Sequence, residues 1–299
     1  MPVLNEKKIV EKILKIIGVE NDDAYFHKGT NLVFTTDVMF ESTHFPLLLS
    51  PEEIGRKIAV ANFSDVAAMG AKPFLFLASF GLNPDYPEDE LLRIIKGIRN
   101  TCGEHNAIYG GGDTKKAKEL TIAGFAVGNI KGKVLKRSNA KPNDSVYCTG
   151  NVGNAACGLI ELLKGRRNEW AENYVKKTAR IDYVPIISKY ANACMDITDG
   201  FFYTMGEIEK MSGVGIEIQN IPTSEKVREY CRKNHITLKK LLSIGEDYEL
   251  VFTIPGAREK VFLKQCAKRG LFPIKIGRVI KRKRGYSKES GYDAFISKV

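Results

Sequence analysis

The 299-residue chain reads as an α/β protein, and three observations carry that reading. Apolar runs of strand length alternate with segments of helical periodicity through both halves of the chain. Carboxylates recur where the strand-like runs end, mostly beside glycine, serine or threonine. The length exceeds what one hydrophobic core usually organises, which implies two domains or one large α/β unit. With 43% hydrophobic and 27% charged residues, the composition is that of an ordinary globular enzyme.

The elements follow in order. Residues 1–17 form a charged amphipathic helix with Ile9, Ile13, Ile16 and Ile17 at helical spacing, and they do not have the pattern of a signal peptide. A strand over residues 32–37 ends in polar groups. A long helix then starts at Pro51-Glu52-Glu53, with proline in its first turn, carries Ile54, Ile58 and Ala61 on one face, and runs towards Gly70. Residues 72–80 read as a buried strand, 88–100 as an amphipathic helix and 120–130 as a strand, with Ala107-Ile108-Tyr109 leading into three glycines between the last two. The polar segment 136–144, which contains Pro142, is the expected boundary between domains 1–138 and 139–299. In the second half, strands are expected at 145–149, 215–218 and 248–254, with a further strand end at Met195-Asp196. Helices are expected at 155–164, around 168–178, at 201–211 and at 258–269.

Several classes are disfavoured. The six cysteines lie far apart without a C-x-x-C pair, which argues against a zinc cluster or a disulfide framework and fits a reducing cytoplasm. No apolar run approaches the roughly 20 residues of a membrane span. The formal charge of +11 fits nucleic acid, a lysine-rich composition or anionic small molecules equally well. Its one dense cluster, Lys281-Arg282-Lys283-Arg284, follows an apolar run over 272–280 and reads as a solvated hairpin tip. No DNA-reading helix or RNA-stacking aromatic pattern accompanies it, so neither nucleic acid nor membrane is expected as a partner.

The chemistry lies in the acidic loops: Asp22-Asp23, Asp37, Asp65, Asp113, Asp196 with Asp199, and Glu246-Asp247. One aspartate in a turn or at a helix N-cap is unremarkable. In alternating α/β chains, however, strand ends converge on one cleft. Two carboxylates about 4 Å apart repel by roughly 4 kcal/mol at an effective dielectric near 20, so several of them require multivalent cations. All-oxygen ligation without histidine or cysteine points to magnesium, which usually completes its shell with water and substrate phosphate. Gly110-Gly111-Gly112-Asp113-Thr114 lets backbone N–H groups approach phosphate oxygens beside a carboxylate. There is no G-x-x-x-x-G-K-[ST] sequence, no H-R-D and no D-F-G, so neither the P-loop nor the protein-kinase lineage applies.

In this order the acidic segments resemble the thiamine-monophosphate kinase family, part of an ATP-binding superfamily that includes aminoimidazole ribonucleotide synthetase. The stretches that carry the resemblance are Asn21-Asp22-Asp23-Ala24, Thr35-Thr36-Asp37 followed by Glu41 and His44-Phe45, Ala61 to Ala71, Gly111-Gly112-Asp113-Thr114, Arg137-Ser138, Met195 to Gly200, and Gly245-Glu246-Asp247-Tyr248-Glu249-Leu250. The resemblance implies a two-domain fold. Its N-terminal α/β domain would pair its sheet with that of a second subunit, and a C-terminal α/β domain would complete an active-site cleft. It further implies phosphorylation of thiamine monophosphate by ATP to thiamine diphosphate in a cytoplasmic homodimer. Carried over by position, Asp23, Thr35, Thr36, Asp37, Asp65, Asp113, Asp196 and Asp199 would hold magnesium. Gly111, Gly112, Asp113, Arg137 and Thr198 would contact ATP, and His44, Glu246 and Tyr292 the thiamine monophosphate. The chain departs from the family's pattern at Asn21, at Phe201-Phe202-Tyr203-Thr204 and at Ala294. The alternative is a divergent paralogue using Mg-ATP on another small phosphorylated or anionic substrate. A basic nucleic-acid-binding protein without activity leaves the acidic loops unexplained.

Overall fold

The computed structural model describes residues 5–281 and 285–288. The chain opens with α1 (Glu6–Ile17), capped by the Asn5 side chain. Then come β1 (Tyr25–His27), β2 (Leu32–Phe40), the single turn α2 (Glu41–His44) and the long α3 (Pro51–Ala68). β3 (Lys72–Leu82), α4 (Glu88–Glu104), β4 (Ile108–Tyr109), β5 (Thr114–Lys116) and β6 (Thr121–Asn129) complete the first half. These strands form one sheet in the order β1-β2-β6-β3-β4, with β5 also on β3. β2, β6 and β3 pair antiparallel, whereas β4 and β5 run parallel to β3.

A 3₁₀ turn at Arg137–Asn139 lies between β6 and the second sheet. That sheet is antiparallel throughout, in the order β8-β10-β7-β11-β9. In chain order its region contains β7 (Asp144–Cys148), α5 (Asn154–Leu163), α6 (Glu169–Val175), α7 (Val184–Tyr190), β8 (Cys194–Asp196), α8 (Phe201–Ser212) and β9 (Gly215–Ile218). It continues through α9 (Glu225–Lys233), α10 (Leu238–Leu241), β10 (Leu250–Pro255), α11 (Glu259–Ala267) and β11 (Ile274–Ile280).

Helix α3 positions the site. It starts from a capping box in which Ser50 and Glu53 exchange hydrogen bonds, with Pro51 in the first turn. Apolar residues surround it on nearly every side, as expected of a helix packed on more than one flank. It lies on β2 and β6 and also meets β8 of the second sheet. Phe63 at its centre meets Phe76 of β3 edge-to-face at 5.7 Å. The apolar core that contains both rings continues without a break to Phe252 and Phe262 of the second half, so the two halves share it.

The expected strands and helices occur close to their positions, with informative differences. Tyr248 does not open a strand: its φ of 53° is left-handed, and β10 begins only at Leu250. Helices α7, α9 and α10 fill stretches for which no element was expected. In α9 only Val227, Tyr230 and Cys231 turn inward, too short a pattern to stand out within a highly charged segment. The run at 272–280 becomes β11, flanked by β7 and β9. Residues 282–284 of the basic cluster lie outside the described residues, as do Tyr292 and Ala294. Asn21 does not adopt a positive φ, so the position makes no demand for glycine. The aromatic run after Gly200 has packing roles. Phe201 is fully buried, Phe202 stacks on Tyr286 at 6.0 Å, and the Tyr203 ring receives the Lys7 ammonium at 3.3 Å.

Candidate active site

Four segments bring carboxylates together. β2 presents Thr35 and Asp37 on the side facing α3, because alternate residues of a strand share a face. The last turns of α3 present Ser64 and Asp65. The loop before β1 contributes Asp22 and Asp23, and the end of β8 contributes Asp196, followed by Asp199. One carboxylate oxygen each from Asp23, Asp65 and Asp196 lie within 4.8 Å of one another. Thr35 Oγ1 donates to Asp65 Oδ2 at 2.6 Å, and Ser64 Oγ donates to Asp196 Oδ2 at 2.5 Å. Asp23 Oδ1 accepts from the Arg137 guanidinium at 2.7 Å, while Asp23 Oδ2 is buried without a hydrogen-bond partner.

The electrostatics express this crowding. Burial, reinforced by Asp37, Asp196 and Asp23, pushes the Asp65 carboxyl well above the ordinary range. Burial and then Asp23 do the same to Asp196. Asp37 is raised to about 6 by burial and by Asp199. Asp199 is also raised to about 6, chiefly by burial, with Lys7 opposing at 3.7 Å. Close carboxylates in a desolvated site favour either protons or a metal ion. The donor set is all oxygen, one buried carboxylate oxygen has no partner, and neither histidine nor cysteine joins it. Those residues fit a hard divalent cation such as magnesium.

Other expected site residues are distributed unevenly. Thr36 points to the opposite face of β2, and its hydroxyl donates to the Gly124 carbonyl at 2.8 Å. Gly111 and Gly112 run alongside β3: the Gly111 carbonyl accepts from Ala78 N–H at 3.0 Å. A Cβ on Gly112 would fall 1.6 Å from the Ala78 carbonyl oxygen, so only glycine permits that approach. Asp113 follows in the open, paired with Lys115 at 3.0 Å and outside the group formed by Asp23, Asp65 and Asp196. Arg137 is anchored by Asp23, and its Nε is buried without a partner.

Thr198 lies where two turns interlock. Glu246 N–H donates to its carbonyl at 2.8 Å, and Tyr248 N–H donates to the Ile197 carbonyl at 3.0 Å. Glu246 and Tyr248 both take left-handed backbone conformations, at φ 59° and 53°, the kind of local strain that surrounding structure must enforce. These turns close one side of a cleft of about 970 Å³ between the two sheets. Asp37, Asp65 and Asp199 line it, as do His44 and Glu246 further along, while Leu48, Leu159 and Ile244 contribute apolar wall. His44 Nδ1 accepts from Phe40 N–H at 3.2 Å, and burial holds the ring below its ordinary pKa, so the neutral ring carries its proton on Nε2.

Two residues absent from the sequence-based expectations bear on this cleft, Lys57 on its lining and Tyr174 bonded behind it. Lys57, only 8% exposed, places its ammonium 2.8 Å from the Glu246 carboxylate and 2.6 Å from the Tyr174 hydroxyl. Tyr174 in turn donates to Glu246. A signal for Lys57 was present: it stands three residues after Ile54 and four before Ala61, on the stripe assigned to the core.

Residues 21–130, which carry the first sheet and α3, match the family model described as AIR synthase related protein, N-terminal domain. Thiamine-monophosphate kinase of Aquifex aeolicus is 35% identical over 267 residues, covering 86% of each chain. That of Pyrococcus horikoshii is 38% identical over 240 residues, covering 78% of this chain and 76% of its own. The chain belongs to the thiamine-monophosphate kinase family. Among solved structures, AaThiL complexed with AMPPCP and TMP superposes with a TM-score of 0.87 at 31% identity, covering 99% of both chains.

Proposed function

We propose that this chain is the kinase that transfers the terminal phosphoryl group of ATP to thiamine monophosphate, yielding thiamine diphosphate. The observation that carries the reading is the cluster of Asp23, Asp65 and Asp196 at a cleft that also presents His44 and Glu246, in a chain whose relatives are thiamine-monophosphate kinases.

The reaction joins two phosphates, and the acceptor oxygen is already anionic at neutral pH. No general base is therefore required, and catalysis rests on alignment and charge neutralisation. Asp23, Asp37, Asp65, Asp196 and Asp199 would hold magnesium, which would supply that neutralisation. Thr35 and Ser64 fix two of these carboxylates by donating to one oxygen each, which leaves the other oxygen free of that bond. Arg137, fixed by Asp23, offers its unpartnered Nε–H to a phosphate oxygen. The backbone at 111–113 and Thr198 belong to the nucleotide end. His44 donates from Nε2 and Glu246 offers a carboxylate at the thiamine end, where Tyr292 would add an aromatic face.

Residues 1–138 form the nucleotide and dimerisation domain and 139–299 the second domain, as the division into two sheets favours. A homodimer would cover the side of the first sheet away from α3. That side carries Phe34, Val38, Phe40 and Phe125, with Val38 49% and Phe40 39% exposed, and an apolar patch of this kind marks an interaction surface. A cytoplasmic location agrees with six buried, unbridged thiols. Among the described residues no helix is long and apolar enough to cross a membrane.

The decisive assay incubates the protein with thiamine monophosphate, ATP and magnesium and measures thiamine diphosphate. Absence of product, with turnover of another phosphorylated heterocycle in a parallel panel, would replace this reading with the paralogue. Thermal stabilisation by an oligonucleotide but not by Mg-ATP would remove the kinase reading altogether.

A further inference from the structure

The Lys57–Glu246 pair raises a problem for any ligand of this cleft. The Lys57 ammonium has three hydrogens, and all are engaged: by the Glu246 carboxylate at 2.8 and 3.0 Å, the Tyr174 hydroxyl at 2.6 Å and the His44 carbonyl at 3.0 Å. Glu246, expected to face a cationic ring, is thus already neutralised. Lys57 is also the one lysine or arginine among the described residues that line the cleft, whose other charged lining groups are carboxylates. Among the described lining side chains an anionic ligand therefore meets a single cation, and that cation is occupied.

Removing one member of a buried ion pair is costly because the other is left desolvated and unpaired. A ligand bearing only a positive charge would take Glu246 and strand Lys57. A ligand bearing only a phosphate would take Lys57 and strand Glu246. A ligand with both charges can replace both halves at once. The proposed substrate, a cationic ring carrying a phosphate, has that pattern.

We propose that the buried Lys57–Glu246 pair is the specificity determinant of the cleft, opening for a zwitterionic ligand so that Glu246 takes the cationic ring and Lys57 takes the acceptor phosphate. Lys57 is then a substrate-binding residue in its own right. Tyr174, which donates to Glu246 and accepts from Lys57, holds the two charges at a fixed spacing while the pair is closed. The inference rests on the kinase reading given above and adds to it the means by which half-substrates are rejected.

The test compares three ligands by calorimetry: thiamine monophosphate, thiamine, and the phosphate analogue in which a neutral ring replaces the thiazolium. Wild-type protein is expected to bind the first about 100-fold more tightly than either of the others. In the Lys57→Met/Glu246→Gln double variant, which removes both charges together, the gap should shrink to about 10-fold or less. An unchanged gap in a folded double variant overturns the inference, as does a wild-type gap under about 5-fold. A readout free of substitutions is the structure of the wild-type protein with thiamine monophosphate bound. There the Lys57 Nζ to Glu246 carboxylate separation should exceed about 4 Å, the usual limit of an ion pair, with Nζ on the phosphate. An intact pair beside bound substrate also overturns the inference. Failure of the two levels is separable: turnover with the pair intact removes only this inference, whereas absence of turnover by wild-type protein removes the kinase reading beneath it.

Discussion

Asp65 accepts from Thr35 on one side and meets the Asp23 and Asp196 carboxylates on the other, so its charge is useful only when a cation is present. Asp65→Asn should lower turnover by about 100-fold or more, the scale seen when a group stabilising developing charge is lost. The same substitution should raise the melting temperature in EDTA, because it removes a repulsive charge. A coupled kinase assay and a thermal melt on one preparation check both. Asp37 gives the pH counterpart. Its carboxyl is raised to about 6 in the fold, above the ordinary value near 3.9 of the unfolded chain, so the folded state holds the proton more tightly. Its contribution is fully present below about pH 4 and is lost as pH rises through about 6. Stabilisation of the metal-free protein by Asp37→Asn should therefore be near zero at about pH 4 and largest at about pH 7. A melting-temperature difference that does not grow over that interval contradicts this. At this scale the aspartates were readable because each occupies a stretch with an unusual local sequence. Lys57 showed only its place on the apolar stripe of α3, because its partners Tyr174 and Glu246 lie far along the chain and a lone lysine in a helix is ordinarily solvated.

Among elements, α3 and α4 approach most closely where each carries a glycine. A Cβ on Gly55 would lie 2.1 Å from the Ile94 carbonyl oxygen, and one on Gly97 would lie 2.1 Å from the Glu52 carbonyl oxygen. Both obstacles are backbone, which a rotamer change cannot relieve. Gly55→Ala and Gly97→Ala should each cost about 1–3 kcal/mol as overpacking, measurable by urea unfolding, although alanine is the better helix former. Glycine in an amphipathic helix announces close packing without naming the partner, so this contact was not legible in advance. The long helices and the central strands were legible because their periodicity or apolar length is sustained. Short pieces were not: β5, with Thr114–Lys116 all exposed, has no pattern beyond its pairing with β3, and α10 spans a single turn.

For the molecule as a whole, the first sheet is half-clothed by the described residues, among which α3, backed by α4, covers one side. Val38→Glu, on the other side, should shift the protein from dimer to monomer in sedimentation velocity while leaving its far-UV circular dichroism unchanged. A variant that sediments like wild type would remove this face from the interface. The two-sheet plan was visible as alternation with a polar break. The continuous core joining the sheets was not, because it depends on contacts between residues far apart in sequence. That core, together with the glycine contact, gives α3 a further consequence. Lys57, Ala61 and Asp65 follow one another at intervals of four residues along the cleft, so the helix is a graduated rule. At about 1.5 Å per residue, its two charged marks are about 12 Å apart along the axis. The α4 contact stops the rule from sliding, and β2 and β8 hold its far end. An acceptor is therefore measured as well as recognised. With its ring on Glu246, an analogue with one more methylene between ring and phosphate would carry its phosphate out of step with Lys57 and with the metal that Asp65 would hold, and its turnover should fall more steeply than its affinity.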